Sequence, residues 1–275
     1  MNVVIYANCQ GIGIKKFIHA LTRFDENISV KNFENYRIIN GEEPIEPLHN
    51  AARNADFFIY QPLGPSQGMY STQEGMENVR SSVRPGCEFI SFPYIYNNGL
   101  WPLFHEITAQ NAAPVVSILQ GGGSVQDVIA AYDAGEMFFN IRERIKLSLD
   151  ILRVREAGLD IKVGDFFEAN YNDSELLLVQ SHPSSIMFLQ ATQDICKIIF
   201  GERFQAEDSS AIMRDNNYAG LPGRYPIDKY CIEEGNLNYL TDPDDGAQYY
   251  YHELIRQIAN EWNAVNCTYQ KAEQG

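Results

Sequence analysis

The start of the chain limits its fold more than any other segment. Residues Asn2–Ala7 (NVVIYA) form an almost unbroken apolar run, and the hydrophobic pattern then turns helical, with Ile14, Phe17, Ile18 and Leu21 recurring across residues 11–24. A strand that is apolar on both sides must be covered on both sides, which is the situation of an inner strand in a parallel sheet. The pattern recurs. Residues 28–33 read as a second strand, 47–54 as a helix, 56–61 (DFFIYQ) as a third strand, 72–83 as a helix and 87–92 (CEFISF) as a fourth strand. Strands alternating with helices over short connections predict an α/β fold with a short, parallel, doubly wound sheet. In such sheets ligands bind beyond the carboxyl ends of the strands, so strand ends are where a site is sought.

The second half is largely helical. Residues 124–157 carry a helical pattern broken near Gly135, with Ile141, Ile145, Leu149 and Leu152 on one face. A short helix is expected over 163–168, an apolar strand-like run over 176–179, and an amphipathic helix over 184–200 that begins just after Pro183. Residues 205–246 are rich in Asp, Asn, Gly, Pro and Tyr and read as loops before a last helix over 249–262. The expected organisation is a single domain over 1–275. Within it, 1–120 form the α/β core carrying the Cys9 loop, 121–204 a helical part carrying the His182 loop, and 205–275 a loop-rich tail with the final helix.

Charge and cysteine usage narrow the function classes. A net charge of -15 argues against a nucleic-acid binder, because no excess of Lys and Arg exists to neutralise a phosphate backbone. No window approaches a membrane span and no signal peptide is evident, so a cytoplasmic protein is expected. The five cysteines are scattered without a C-x-x-C pair, which suggests reduced thiols and no metal site.

One of those cysteines occupies a strand end. Asn8-Cys9-Gln10-Gly11-Ile12-Gly13 joins the first strand to the first helix. A thiol at the amino end of a helix faces the positive end of the helix dipole, which favours thiolate and nucleophilic chemistry. Asn8 and Gln10 are expected as oxyanion or crevice donors, and Gly11 as part of a backbone cradle for a cofactor. Gly11-x-Gly13 also matches part of a dinucleotide fingerprint, but Lys16 stands in place of its third glycine, and tight-turn glycines explain the pair as well. Of the five histidines, His182 follows an apolar run and precedes a helix, so it too belongs to a strand end and has a pKa suited to proton transfer.

Taken together, Asn8-Cys9-Gln10, Gln61-Pro62, Ser91-Phe92-Pro93-Tyr94, Gly99-x-Trp101-Pro102, Arg155-Glu156 and Ser181-His182-Pro183 resemble the WcbI family of capsule polysaccharide biosynthesis proteins, from Met1 to about Gly201. The resemblance implies an enzyme that binds coenzyme A or acetyl-CoA and O-acetylates a sugar hydroxyl. It makes Cys9 and His182 the catalytic candidates and Gln61 a crevice residue. A more distant similarity to SGNH hydrolases places Cys9 where those enzymes carry a serine and implies a flavodoxin/SGNH-like sheet. Where they carry an aspartate three residues before the histidine, this chain has Val179. Asp165, Glu168, Ser181 or a backbone carbonyl are the candidates to orient His182.

Three further groups complete the expected site. Pro62 restricts Gln61 to extended geometry, which would fix its amide as a donor. Tyr94 and Trp101 are candidate sugar-binding aromatics. Lys16 and Arg142 are candidate partners for the phosphates of coenzyme A. The partners expected are acetyl-CoA and a sugar or polysaccharide precursor. A thiol esterase or deacetylase, and a non-catalytic carbohydrate-binding protein, are the alternatives.

Overall fold

The computed structural model describes residues 1–22, 27–103, 113–204, 212–213 and 223–273. Strand β1 (Asn2–Ala7) is buried at every position after Asn2, as its two-sided apolar sequence requires. It lies inside a parallel sheet between β2 (Ser29–Glu34) and β3 (Phe57–Tyr60), with β4 (Glu88–Ser91) beyond β3. The register pairs Ala7 with Glu34, Tyr6 with Tyr60, and Tyr60 with Ser91, so all four strands end at one rim. The order β2-β1-β3-β4 makes β1 and β3 the pair at which the connections diverge, the usual position of a ligand crevice.

Each face of the sheet is covered. Val4, Tyr6 and Phe58 pack on one face against Ile38, Leu48, Ala51, Ala52 and Val79. These come from α2 (Asn35–Ile39), α3 (Glu46–Ala52) and a 3-10 turn, Val79–Ser82. Helix α1 (Gln10–Leu21) packs with α8 (Ser185–Phe200), where the Phe17 and Phe188 rings stack with centroids 6.4 Å apart. Glycine is required at both positions of the Gly11-x-Gly13 pair by close packing: a Cβ on Gly11 would lie 2.2 Å from Asn32 Oδ1, and one on Gly13 would lie 2.4 Å from the Phe188 ring. Neither glycine needs a dinucleotide to explain it.

The remaining helices are α4 (Ala113–Gln120), α5 (Val125–Ala134), α6 (Ile141–Glu156), α7 (Gly164–Asn170), α9 (Lys229–Gly235) and α10 (Ala247–Glu273). Gly135 caps α5 with φ +77°, which accounts for the break seen in the sequence pattern. Strand β5 (Leu177–Val179) pairs antiparallel with β6 (His182–Pro183), Val179 opposite His182. The helix expected over 72–83 does not form. Residues Pro65–Tyr70 and Val79–Ser82 are 3-10 turns instead, separated by Gly75 at φ +78° and by the Asn78–Ser81 capping box. The end of the expected 11–24 helix, and most of residues 205–222, lie outside the described residues.

Contacts group the chain into two compact units rather than into consecutive segments. One comprises residues 1–96, 149–170 and 175–223, and the other 97–148, 171–174 and 224–275. The first holds the sheet, α1 and α8. In the second, Tyr132 stacks on Tyr251 with ring centroids 6.0 Å apart and donates to Asp228 Oδ2 at 3.0 Å, while Asp228 Oδ1 caps α9 through the Cys231 N–H at 3.0 Å. No helix among the described residues is long and apolar enough to cross a membrane.

The Gly13 contact gives a stability test. Gly13→Ala drives a methyl group into the Phe188 ring, and the overpacking outweighs the gain in helix propensity. A loss of about 1–3 kcal/mol is expected in chemical denaturation, with Phe188→Leu restoring part of it in the double variant.

Candidate active site

At the carboxyl rim of the sheet the chain turns from β1 into α1 through Asn8 and Cys9. Asn8 Oδ1 accepts the Gln10 N–H at 2.9 Å and Asn8 O accepts the Gly11 N–H at 2.9 Å, so Asn8 caps the first turn of α1 while Cys9 sits at the N-cap position with no side-chain capping bond. Asn8 Nδ2 has no partner among the described residues, which leaves one side-chain donor beside the thiol.

Gln10 is fully buried and Gln61 is 4% exposed, and the two amides bond to each other. Gln61 Nε2 donates to Gln10 Oε1 at 2.9 Å and to Pro93 O at 3.3 Å, while Gln61 Oε1 accepts the Asn8 N–H at 3.0 Å. Gln10 Nε2 donates to Ile95 O and Ser181 O, both at 2.8 Å, and Gln10 Oε1 also accepts the Ile95 N–H at 3.1 Å. Both N–H groups of each amide are therefore committed. This corrects the expectation that Gln10 and Gln61 donate to an oxyanion. They tie together the ends of β1 and β3, the segment after β4 and the turn before His182.

Two more locks hold the segments that follow β4 and α6. Ser91 N and Oγ donate to Asp160 Oδ2 at 2.7 and 2.6 Å, and Ser91 O accepts the Ile161 N–H at 3.0 Å. Buried Glu156 accepts the Val163 N–H at 2.8 Å and the Gly164 N–H at 3.1 Å, which fixes the start of α7. The Glu of the Arg155-Glu156 pair is thus a strut.

The lock gathers polar groups around Cys9. Glu34, at the end of β2, lies opposite Ala7, two residues before the thiol. Its carboxylate is 15% exposed and accepts the Tyr36 hydroxyl at 3.0 Å. Ser181, Cys9 and Arg155 all lie within electrostatic reach of the Tyr94 phenol. Tyr36 likewise lies within electrostatic reach of Cys9. The two tyrosines are 40% and 37% exposed, so a half-buried thiol has two accessible phenols within electrostatic reach. His182 stands on β6, next to Ser181. Gln180 Oε1 and Ser184 Oγ, two residues to either side of His182, are buried without a hydrogen-bond partner.

Burial raises the Cys9 thiol above its ordinary pKa, and the Glu34 carboxylate raises it further. The nearby Cys9 and Gln10 N–H groups pull it down without cancelling these effects. The helix start therefore does not make Cys9 a standing thiolate, contrary to the expectation from position alone. A short helix terminus offers about half a charge, which burial and a nearby full carboxylate charge outweigh.

The other predicted residues fall as follows. Gly11 is buried and its N–H is used within the turn, so it offers no cradle for a cofactor. Trp101 is 1% exposed, in the core of the second unit, which withdraws it as a sugar platform. Arg142 is exposed on α6 beside Glu143, Glu233 and Glu234, an acidic setting that disfavours phosphate. Lys16 is part-exposed and forms no ion pair among the described residues. Asp165 and Glu168 both pair with Arg153. His105 lies outside the described residues. Glu34 and Tyr36 are the site members that sequence reasoning missed as a pair. The signal available was that Glu34 ends the strand next to β1.

Fold and site together define a parallel α/β protein with a half-buried cysteine at the carboxyl rim of its sheet, beside the point where the strand order reverses. The polysaccharide biosynthesis enzyme WcbI family model matches residues 2–199, and the chain belongs to that family. A solved structure of WcbI, described as a novel polysaccharide biosynthesis enzyme in native form without a disulfide bond between coenzyme A and one of its cysteines, is similar in fold. It has a TM-score of 0.68 at 15% identity, over 94% of this chain and 90% of that one. No curated protein matches the chain.

Two measurements test the site. Gln10→Leu strips four buried groups of their partner, and a loss of about 3–5 kcal/mol is expected in denaturant unfolding. Alkylation of Cys9 by iodoacetamide should titrate with a midpoint above that of an ordinary thiol, since the rate follows the thiolate fraction. Glu34→Gln removes one of the groups that raise the pKa and should move that midpoint down.

Proposed function

We propose that this member of the family transfers an acetyl group from acetyl-CoA to a sugar hydroxyl, with Cys9 and His182 as the reacting pair. The observation that carries the proposal is the position of Cys9. It is a half-buried thiol at the strand switch point, fixed by Gln10 to the turn that bears His182 and with two accessible phenols within electrostatic reach. That the WcbI structure is described with reference to coenzyme A and one of its cysteines, in a form without a disulfide bond between them, supports coenzyme A as the acyl carrier.

The residues present suit such a ligand in part. The surroundings of Cys9 are neutral or acidic and suit the uncharged thiol-bearing arm, while Lys16, further along α1 and without an ion pair among the described residues, offers a cation for a phosphate. When bound, acetyl-CoA supplies an activated acyl group and a thiol leaving group.

Because Cys9 rests as a thiol, its attack needs a base. His182 takes the Cys9 proton, the sulfur bonds to the thioester carbonyl carbon, and the bond to the coenzyme A sulfur breaks. His182 returns the proton to the departing thiolate. In the second half His182 takes the proton of a sugar hydroxyl, whose oxygen attacks the acyl-Cys9 carbonyl and displaces the Cys9 sulfur, which regains a proton. Asn8 Nδ2 is the side-chain donor open to the developing oxyanion. Tyr94, 37% exposed and within electrostatic reach of Cys9, is retained as a sugar-facing ring.

Incubation with acetyl-CoA alone should leave an acetyl adduct on Cys9, read by peptide mass spectrometry. The same adduct should form at least 100-fold more slowly, at about the scale of lost general-base catalysis, in His182→Ala. Cys9→Ala with undiminished transfer to a sugar would overturn the covalent route, and full activity of His182→Ala would remove the proposed base.

A further inference from the structure

We propose that Glu34, steadied by Tyr36, makes the crevice around Cys9 selective against negative charge, so that the acceptor is a neutral or amino sugar and not a uronate or a phosphorylated sugar. The inference deepens the acetyl-transfer proposal and rests on it for the identity of the acceptor.

The geometry begins with the strand register. Glu34 ends β2 opposite Ala7, so its side chain belongs to the same rim as the Cys9 turn. Tyr36 reaches back to donate to its carboxylate at 3.0 Å, and this phenol itself lies near Cys9. The carboxylate is mostly buried, so its charge acts on the crevice with little screening by water. Arg37 does not neutralise it. That guanidinium lies 3.5 Å from Glu34, 3.4 Å from Glu42 and 2.9 Å from Glu43, one cation among three carboxylates.

The groups on the other elements around Cys9 leave that balance in place. Tyr36 and Tyr94 are both pushed above the ordinary phenol pKa, chiefly by burial, and are neutral at physiological pH. Arg155 is exposed to solvent, which screens it, and lies within electrostatic reach of the Tyr94 phenol. His182 on β6 is the proposed base and must be neutral to accept a proton. Among the described residues, the side-chain charge that acts on the thiol is thus the Glu34 carboxylate. An anionic acceptor would pay a Coulomb penalty there, whereas hydroxyls gain a strong acceptor in the carboxylate, and an ammonium gains an ion pair.

Three methanethiosulfonate reagents of similar size test this on the whole chain: one bearing trimethylammonium, one uncharged, and one bearing sulfonate. The rate at Cys9 is read by peptide mass spectrometry, and the ratio of cationic to anionic rates cancels any change in thiol pKa. We expect the cation to be fastest and the anion slowest. The ratio should fall by about fivefold to tenfold in Glu34→Gln, the scale of opposite-sign Coulomb effects across one side chain in a water-like medium. It should also fall in the unmodified protein at roughly 1 M salt, a measurement that needs no variant. A ratio unchanged by Glu34→Gln, a faster anion, or a Cys9 unreactive to all three reagents would overturn the proposal. Acetyl transfer to methyl glucoside, glucosamine and glucuronate is followed in parallel. Equal transfer to glucuronate and methyl glucoside also overturns it. A charge ratio with no transfer to any of the three sugars overturns the acetyl-transfer proposal and leaves the charge selection standing.

Discussion

The hydrogen bond between the Gln10 and Gln61 side chains is the contact on which the rest of the rim depends. Two buried amides could satisfy each other only in part, since each carries two donors and an oxygen with two lone pairs. The surplus is taken up by Asn8 N in the turn after β1, by Pro93 O, Ile95 N and Ile95 O in the segment after β4, and by Ser181 O in the turn before His182. A network of this kind is costly when incomplete and rigid when complete, because the low local dielectric strengthens each bond and penalises each missing one. It therefore converts four separately folded strand ends into one fixed surface.

That surface explains the state of its cysteine. Cys9 is placed by the same turn that Gln10 and Asn8 hold, so it cannot withdraw from the neighbouring end of β2, where Glu34 stands. The consequence is a thiol kept protonated by burial and by a carboxylate, in a setting that needs a base before it can attack. A protected thiol of this type is less open to stray alkylation than a thiolate formed at a bare helix start. The turn that bears His182 is held to the same Gln10 side chain through Ser181 O.

How much of this was visible in the chain follows from the range over which each interaction acts. The four strands and most helices were legible, because apolar continuity in β1 and helical spacing in α6 and α8 are local patterns with one physical cause, burial of one face or of two. The 72–83 segment was misread because its apolar spacing carried no warning of the Gly75 and Asn78 turn chemistry that defeats a helix. Cys9 and His182 were recognisable from their strand-end context and from the family motifs. Trp101 was misjudged because an aromatic side chain beside a strand end looks the same in sequence whether it faces a ligand or a core.

The sequence by itself determined the α/β architecture, the position of Cys9 at a strand-to-helix turn, and the family. Those depend on the order of residue types along a short stretch of chain. Only the tertiary structure decided that Gln10 and Gln61 are structural ties and not donors to an oxyanion, that Gly11 and Gly13 answer to Asn32 and Phe188, and that Glu34 and Tyr36 belong beside the thiol. Each of these is set by residues far apart in the chain, and polar side chains acquire their role from the partners they meet on burial, which no local pattern encodes.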